Sequence, residues 1–330
     1  MLTRIFGWTL AVAMWAALAT SSAGAVEFSC KGQKFVFFPG GPEGGAFASI
    51  VFNGAKLAAE HTGCDVDYVW SDWNPAKMVQ QFKEAIARRP DGIAIMGHPG
   101  EPALANLVDE ARAVGIVVTT QNVDLPNVEA KYKADGLGYV GASLYDAGFS
   151  LGQGAVRVCK LQSGDKALVW GLLGQEARGQ RTKGVIDAFE KAGVKVKYLE
   201  ISDEVNKDAA VGIPVFAAFA AANLDLKVVV TDHGALTATL GAYMTAAGRG
   251  PEQICGAGFD LSAATAQAIK EGFVDVVLDQ QPFMQGYLPI VQLYLSTKFG
   301  FAGMHIDTGA ALITADNIAL VAPLAEEGIR

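Results

Sequence analysis

Leu226-Lys227-Val228-Val229-Val230-Thr231-Asp232 decides how this chain is read. The run is short and apolar, and it stops on a carboxylate. Ile254-Cys255-Gly256-Ala257-Gly258-Phe259-Asp260 and Val274-Asp275-Val276-Val277-Leu278-Asp279-Gln280 repeat the pattern. Near-continuous apolar runs of this length suit strands of a parallel sheet buried on both faces. In an open parallel sheet the strands end on one edge, and ligands bind in the crevice outside it. Asp232, Asp260 and Gln280, far apart in sequence, are therefore expected to meet at one small molecule.

Outward from these runs, strand and helix patterns alternate every 25 to 30 residues or so, the length of a βα unit. Strands are expected near Phe35, Val66, Gly92, Ile116, Tyr139, Lys166, Val194, Val228, Ile254 and Val274. Amphipathic helices are expected over Ala46 to His61, Pro75 to Arg88 and Glu101 to Val114. Such alternation predicts an α/β protein with helices on both faces of parallel sheets. Ten strands exceed one comfortable sheet, so two doubly wound lobes are expected. No Pro-, Gly- or Ser-rich linker divides them, which implies several short crossovers, placed near Gly141 to Ser143, Leu278 to Gln280 and Ile306 to Gly309. The lobes then comprise residues 26–142 with 281–306, and residues 143–280 with 307–330.

Residues 1–25 read as an export signal: Arg4, an apolar stretch from Trp8 to Ala19, then Ala23-Gly24-Ala25 as the cleavage pattern. The formal charge is −8, and −9 once Arg4 is removed. That balance argues against nucleic acid or an anionic membrane as partner. Four cysteines fit an oxidising compartment but are too few for a disulfide scaffold. Cys30 and Cys64 precede the first two strands, which makes a bond between them geometrically reasonable. Cys159 and Cys255 also lie near strand starts, but on strands that need not be neighbours.

Gly136-Leu137-Gly138-Tyr139-Val140-Gly141 matches the dinucleotide fingerprint, yet its glycines lead into a strand and not from a strand into a helix. No P-loop, H-E-x-x-H or G-x-S-x-G is present, and the four histidines show no zinc-ligand spacing. Neither cofactor nor metal is expected. Gly171 to Gly184 follows a strand and opens a helix, placing Arg181 in the first turn. From there a guanidinium can fork two hydroxyls. Glu43 and Trp73 lie on expected crevice loops, as a hydroxyl acceptor and an apolar wall, or as a solvated carboxylate and a helix-packing ring. Asn206 suits either a ligand contact or a helix N-cap. His98 and His233 follow strands but read as satisfied structural histidines, and Trp170 reads as core.

The ordered set Asp91-Gly92-Ile93-Ala94-Ile95-Met96, Ala113-Val114-Gly115-Ile116-Val117-Val118, Arg181-x-x-Gly184, Gly256-Ala257-Gly258-Phe259-Asp260 and Asp279-Gln280-Gln281-Pro282 resembles the ribose-type (type I) periplasmic binding proteins, which deliver sugars to ABC transporters. The resemblance implies two lobes joined by three crossover strands. It also implies a periplasmic monomer, an inner-membrane permease as partner, and ligand contacts at Phe47, Asn122, Arg181, Asp232, Asp260 and Gln280. Gly44-Gly45-Ala46-Phe47-Ala48 keeps one aromatic where pentose binders usually pair two, and Asn122-Val123 stands where many relatives have Asp-Arg. These departures, with Gly40-Gly41-Pro42-Glu43-Gly44-Gly45, suggest a small polyol such as a pentitol or tetritol. Arg181 is the one clear cation in the set and is balanced by Asp232 or Asp260, so the ligand is expected to be uncharged. Two rivals stand beside this reading: a periplasmic sensor feeding a chemoreceptor or histidine kinase, and a hydrolase or lyase using Asp232 and Asp260 as an acid–base pair.

Overall fold

The computed structural model describes residues 28–330, so the expected export signal at 1–25 lies outside the described residues. The chain first lays down β1 (Lys34–Phe37), α1 (Ala46–Thr62), β2 (Asp65–Tyr68), α2 (Pro75–Ala87), β3 (Gly92–Met96), α3 (Glu101–Ala113), β4 (Val117–Gln121), α4 (Pro126–Tyr132) and β5 (Tyr139–Gly141). A second series follows: α5 (Leu144–Val158), β6 (Lys166–Gly171), α6 (Gly179–Lys191), β7 (Lys195–Glu200), α7 (Asp203–Lys207), α8 (Ile213–Ala221), β8 (Leu226–Thr231), α9 (Gly234–Ala246), β9 (Cys255–Phe259), α10 (Ala263–Lys270) and β10 (Val276–Asp279). The chain closes with α11 (Pro282–Phe299), β11 (His305–Asp307), β12 (Ala311–Thr314) and α12 (Ile318–Glu326).

Two six-stranded sheets result, ordered β11-β5-β4-β3-β1-β2 and β12-β10-β9-β8-β6-β7. Every pairing is parallel except β10 with β12. The fold is α/β with two doubly wound sheets, as the alternation implied. Burial follows strand position: β3 and β10 are buried at every residue, whereas the edge strands β2 and β7 alternate. Strand order reverses at β2-β1-β3 in one sheet and at β7-β6-β8 in the other, the switch points where such sheets open a crevice. The chain passes between sheets after β5, after β10 and between β11 and β12. The two last strands are absent from the ten expected. They are three and four residues long, and pairing to distant strands makes them, not their own pattern.

Local chemistry fixes the helix ends. The Asn74 side chain accepts from Lys77 N at 2.9 Å, with Pro75 in the first turn where its missing N–H leaves nothing unpaired. Gly63, at φ 74°, closes α1 in the left-handed conformation glycine adopts without strain. Both disulfides form. Cys30–Cys64 joins the approaches to neighbouring strands β1 and β2. Cys159–Cys255 corrects the expected placement, because Cys159 ends α5 and does not start a strand. β6 and β9 are separated by β8, and α5, packed across this sheet, carries Cys159 to the start of β9. Among the described residues, no helix is long and apolar enough to cross a membrane.

Candidate functional site

The carboxyl ends of β6, β8, β9 and β10 bring Arg181, Asp232, Asp260 and Gln280 together. Asp232, after β8, accepts from Arg181 Nε at 3.1 Å and Nη2 at 2.7 Å on one oxygen, and from Thr182 Oγ1 at 2.7 Å on the other. Burial pushes the Asp232 carboxyl up, but the charges of Arg181 and then Arg178 outweigh it and hold it below the usual carboxylate range. Arg181 lies over the Phe259 ring at 5.1 Å. Close packing of α5 on α6 fixes it, since a Cβ on Gly148 would overlap the Arg181 carbonyl oxygen.

Asp260, after β9, accepts from Gly234 N at 3.0 Å and from Gln280 Nε2 at 2.6 Å. Burial raises its pKa against the charge of Arg181 and these two hydrogen bonds. The Gln280 carbonyl accepts from Gln285 Nε2 at 3.0 Å, which ties the site to the start of α11. Its neighbour Asp279 turns away to pair with Arg330 at 2.7 Å. With three donors already on its carboxylate, Asp232 is poorly suited to move a proton as half of an acid–base pair.

The first sheet supplies the facing wall. Asn122, after β4, donates from Nδ2 to Gln285 Oε1 at 3.1 Å, joining the same crossover network. Phe47, on the first turn of α1, and Trp73 sit 5.9 Å apart, and Trp73 stacks on His98 at 5.4 Å. The indole settles onto Gly40 and Gly41, where any Cβ would collide with it. Trp73, Asn122 and Asp260 all hold left-handed backbone, with φ of 55°, 66° and 72°. Such conformations cost about 1–3 kcal/mol each and cluster at ligand sites.

Several expectations need correction. Glu43 is exposed, with no hydrogen bond to another described residue, which matches a solvated carboxylate. Asn206 does not cap a helix: Ser202 caps α7, accepting from Val205 N at 3.3 Å, and Asn206 lies inside that helix. Val123 is fully buried among apolar residues of the other lobe and faces no crevice. Arg181 is not the only cation, because Arg178 is 9% exposed and its Nη2 lies 3.8 Å from Asp232 Oδ2. Burial, then the charge of Arg181, lower its pKa to about 10.

His98 and His233 are not satisfied structural histidines. Nδ1 of each is buried without a protein hydrogen-bond partner, as is Gln280 Oε1. Burial first, then the charge of Arg178, lowers His98 well below its ordinary value and His233 to about 3. Both rings are neutral at pH 7. Trp170 is core, at 1% exposure. A cavity of about 10 Å³ lies behind Asp232, lined by Val169, Trp170, Val230 and Phe259 among others. It has room for no more than a water, so it is a packing defect behind the carboxylate.

Asp260→Ala is expected to weaken ligand binding by about 2 kcal/mol, roughly thirtyfold, because Gly234 N and Gln280 Nε2 lose their acceptor along with any ligand hydroxyl. Calorimetry giving the wild-type affinity would remove Asp260 from the site.

Residues 35–298 match the profile of the periplasmic binding protein domain. Over 274 residues the chain is 28% identical to the xylose/arabinose-binding protein XylF of Sulfolobus acidocaldarius, an alignment spanning 77% of this chain and 65% of that protein. An ABC transporter solute-binding protein from Burkholderia graminis, solved with D-arabinose, superposes with a TM-score of 0.76 at 23% identity, covering 88% of this chain and 98% of that one. A carbohydrate transporter from Acidothermus cellulolyticus, solved with myo-inositol, gives a TM-score of 0.76 at 23% identity, covering 90% and 99%. The chain belongs to the periplasmic binding protein domain family, and its two sheets have the ribose-type (type I) fold.

Proposed function

We propose that this chain is the periplasmic solute-binding component of an ABC importer, closing on a neutral monosaccharide or small polyol. The observation that carries the reading is the buried cluster of Arg181, Asp232, Asp260 and Gln280, facing imidazole nitrogens that no protein group satisfies. Phe47, Asn122, Arg181, Asp232, Asp260 and Gln280 form the ligand set, with Trp73 behind them and Glu43 and Asn206 at the margin. Arg181 binds through the guanidinium edge left free by Asp232, which mainly orients it. Two lobes, 26–142 with 281–306 and 143–280 with 307–330, close by bending at three crossovers, and the division of strands between the sheets supports that partition. The protein acts as a monomer that presents its ligand to an inner-membrane permease.

Arg178 and Arg181 balance Asp232 and Asp260, so an uncharged ligand leaves no surplus charge in a dry cleft. A pentitol or tetritol such as xylitol or threitol fits a site to which the first turn of α1 gives the single aromatic Phe47. The stacked Trp73 and His98 rings favour a second reading, a cyclic pentose, because they form a rigid planar wall. The Sulfolobus relative named for xylose and arabinose lies in the same size range. A thermal-shift screen of pentoses, hexoses and polyols tests this directly. A ligand at 100 times its dissociation constant raises stability by about 2.7 kcal/mol. Stabilisation by sugar acids or sugar phosphates, and by no neutral compound, would refute the proposal.

A further inference from the structure

Arg178 and Arg181 stand three residues apart and carry the same group in opposite states. Arg181 donates twice to Asp232 and rests on Phe259. Arg178 is nearly as buried, yet it donates no hydrogen bond to any described residue. A guanidinium carries five N–H donors, and burying them without acceptors is costly. The loop that holds Arg178 is firmly anchored: Leu173 N donates to Tyr198 Oη at 2.8 Å, and Gly174 N to Glu200 Oε2 at 3.3 Å. The backbone leading to Arg178 is thus tied down, and the guanidinium stands beside Asp232 with its donors unspent.

His98 and His233 share this condition. His98 is braced by Trp73, and His233 stands at the start of α9 with its Nδ1 3.9 Å from Asp232 Oδ2, too far for a hydrogen bond. His98 belongs to the first lobe and His233 to the second, and both feel the charges of Arg178 and Arg181. Arg178 and His233 approach the same Asp232 oxygen, at 3.8 and 3.9 Å, and His98 comes from the first lobe within reach of their charges.

Resting on the sugar-binding reading above, we propose that Arg178, His98 and His233 form a subsite that reads one ligand hydroxyl and thereby sets which neutral sugar or polyol is taken. Arg178 donates to the hydroxyl oxygen. A neutral imidazole presents at Nδ1 either a lone pair or an N–H, according to its tautomer, and a hydroxyl satisfies both forms. A carboxylate satisfies only the N–H form, and it also adds a charge that the two arginines, already matched by Asp232 and Asp260, do not need. Replacing that hydroxyl by hydrogen leaves two buried imidazole nitrogens and the Arg178 donors without a partner. Sites built to bond a substrate hydroxyl reject the analogue lacking it far more strongly than apolar pockets reject a missing methylene.

Calorimetry with D-arabinose, D-xylose and xylitol, followed by the singly deoxygenated forms of whichever binds tightest, tests the subsite in wild type, Arg178→Gln and Arg181→Gln. Arg178→Gln is expected to weaken the best ligand by tenfold or more. One deoxy analogue is expected to bind wild type and Arg178→Gln within twofold of each other, because the group Arg178 reads is already gone. The circular dichroism spectrum of unliganded Arg178→Gln, expected to match wild type, separates this from misfolding. Unchanged affinity in Arg178→Gln alongside loss in Arg181→Gln would overturn the inference and leave the sugar-binding reading intact. Equal weakening by Arg178→Gln for the parent and every deoxy form would overturn it as well. No binding by wild type of any neutral pentose, hexose or polyol in the thermal-shift screen would overturn both.

Discussion

Arg181→Ala is expected to destabilise the protein by about 3–5 kcal/mol and to abolish sugar binding. The carboxylate of Asp232 is 1% exposed and receives two hydrogen bonds from this guanidinium. Removing one partner of a buried ion pair strands the other, and that cost exceeds the net worth of the pair. Two groups soften the loss. Thr182 still donates to Asp232 Oδ1, and Arg178, 3.8 Å from Oδ2, is close enough to swing in. These hold the effect within the stated range. Denaturant unfolding of Arg181→Ala, Asp232→Ala and the double variant measures it. The double variant is expected to be less destabilised than the sum of the single ones, since each single change leaves a buried charge that the double removes. Strict additivity, or a loss under 1 kcal/mol in Arg181→Ala, would contradict the buried-pair account.

The parts of this site that were legible in the sequence are those that secondary structure forces. Asp232, Asp260 and Gln280 each end a buried strand, so a parallel sheet places them on one edge whatever the rest of the chain does. Arg181 was legible because Gly179 to Gly184 opens a helix directly after β6, and a first-turn side chain there points back to the same edge. Arg178 sits on the irregular approach to that helix, where no periodicity reports orientation, and its burial beside Asp232 is set by tertiary packing alone. His98 and His233 carry no sequence signal separating a satisfied ring from an unsatisfied one, because the difference lies in which groups the fold brings within hydrogen-bond reach. Asn206 shows a different failure. Ser202-Asp203-Glu204 is a good helix start, a capping serine followed by acidic residues, and it puts the cap four residues before the asparagine. Trp73 required the fold, since its position depends on Gly40 and Gly41 lying beneath the indole.

Acidification is expected to destabilise the protein through His233, by about 2 kcal/mol at pH 5 and about 4 kcal/mol near pH 3.5. The ring is buried beside Arg178, and its pKa falls from an ordinary 6.5 to about 3 in the native state. In the unfolded chain it takes up a proton as the pH drops through 6.5, and the native state does not. Stability that is complete above pH 6.5 is therefore lost as the pH falls toward 3, at up to about 1.4 kcal/mol per unit. His98, also lowered by burial, acts in the same direction. Asp260 acts in the opposite one: its raised pKa means the native carboxyl protonates before the unfolded one, so acid relieves a penalty there. The raw pH profile mixes these contributions, and the comparison with His233→Gln isolates one of them. Between pH 7 and pH 5 the variant is expected to gain about 2 kcal/mol relative to wild type in denaturant unfolding without ligand. A wild-type–variant difference that stays constant across that window would mean that His233 titrates normally, and the buried neutral imidazole beside Arg178 would have to be abandoned.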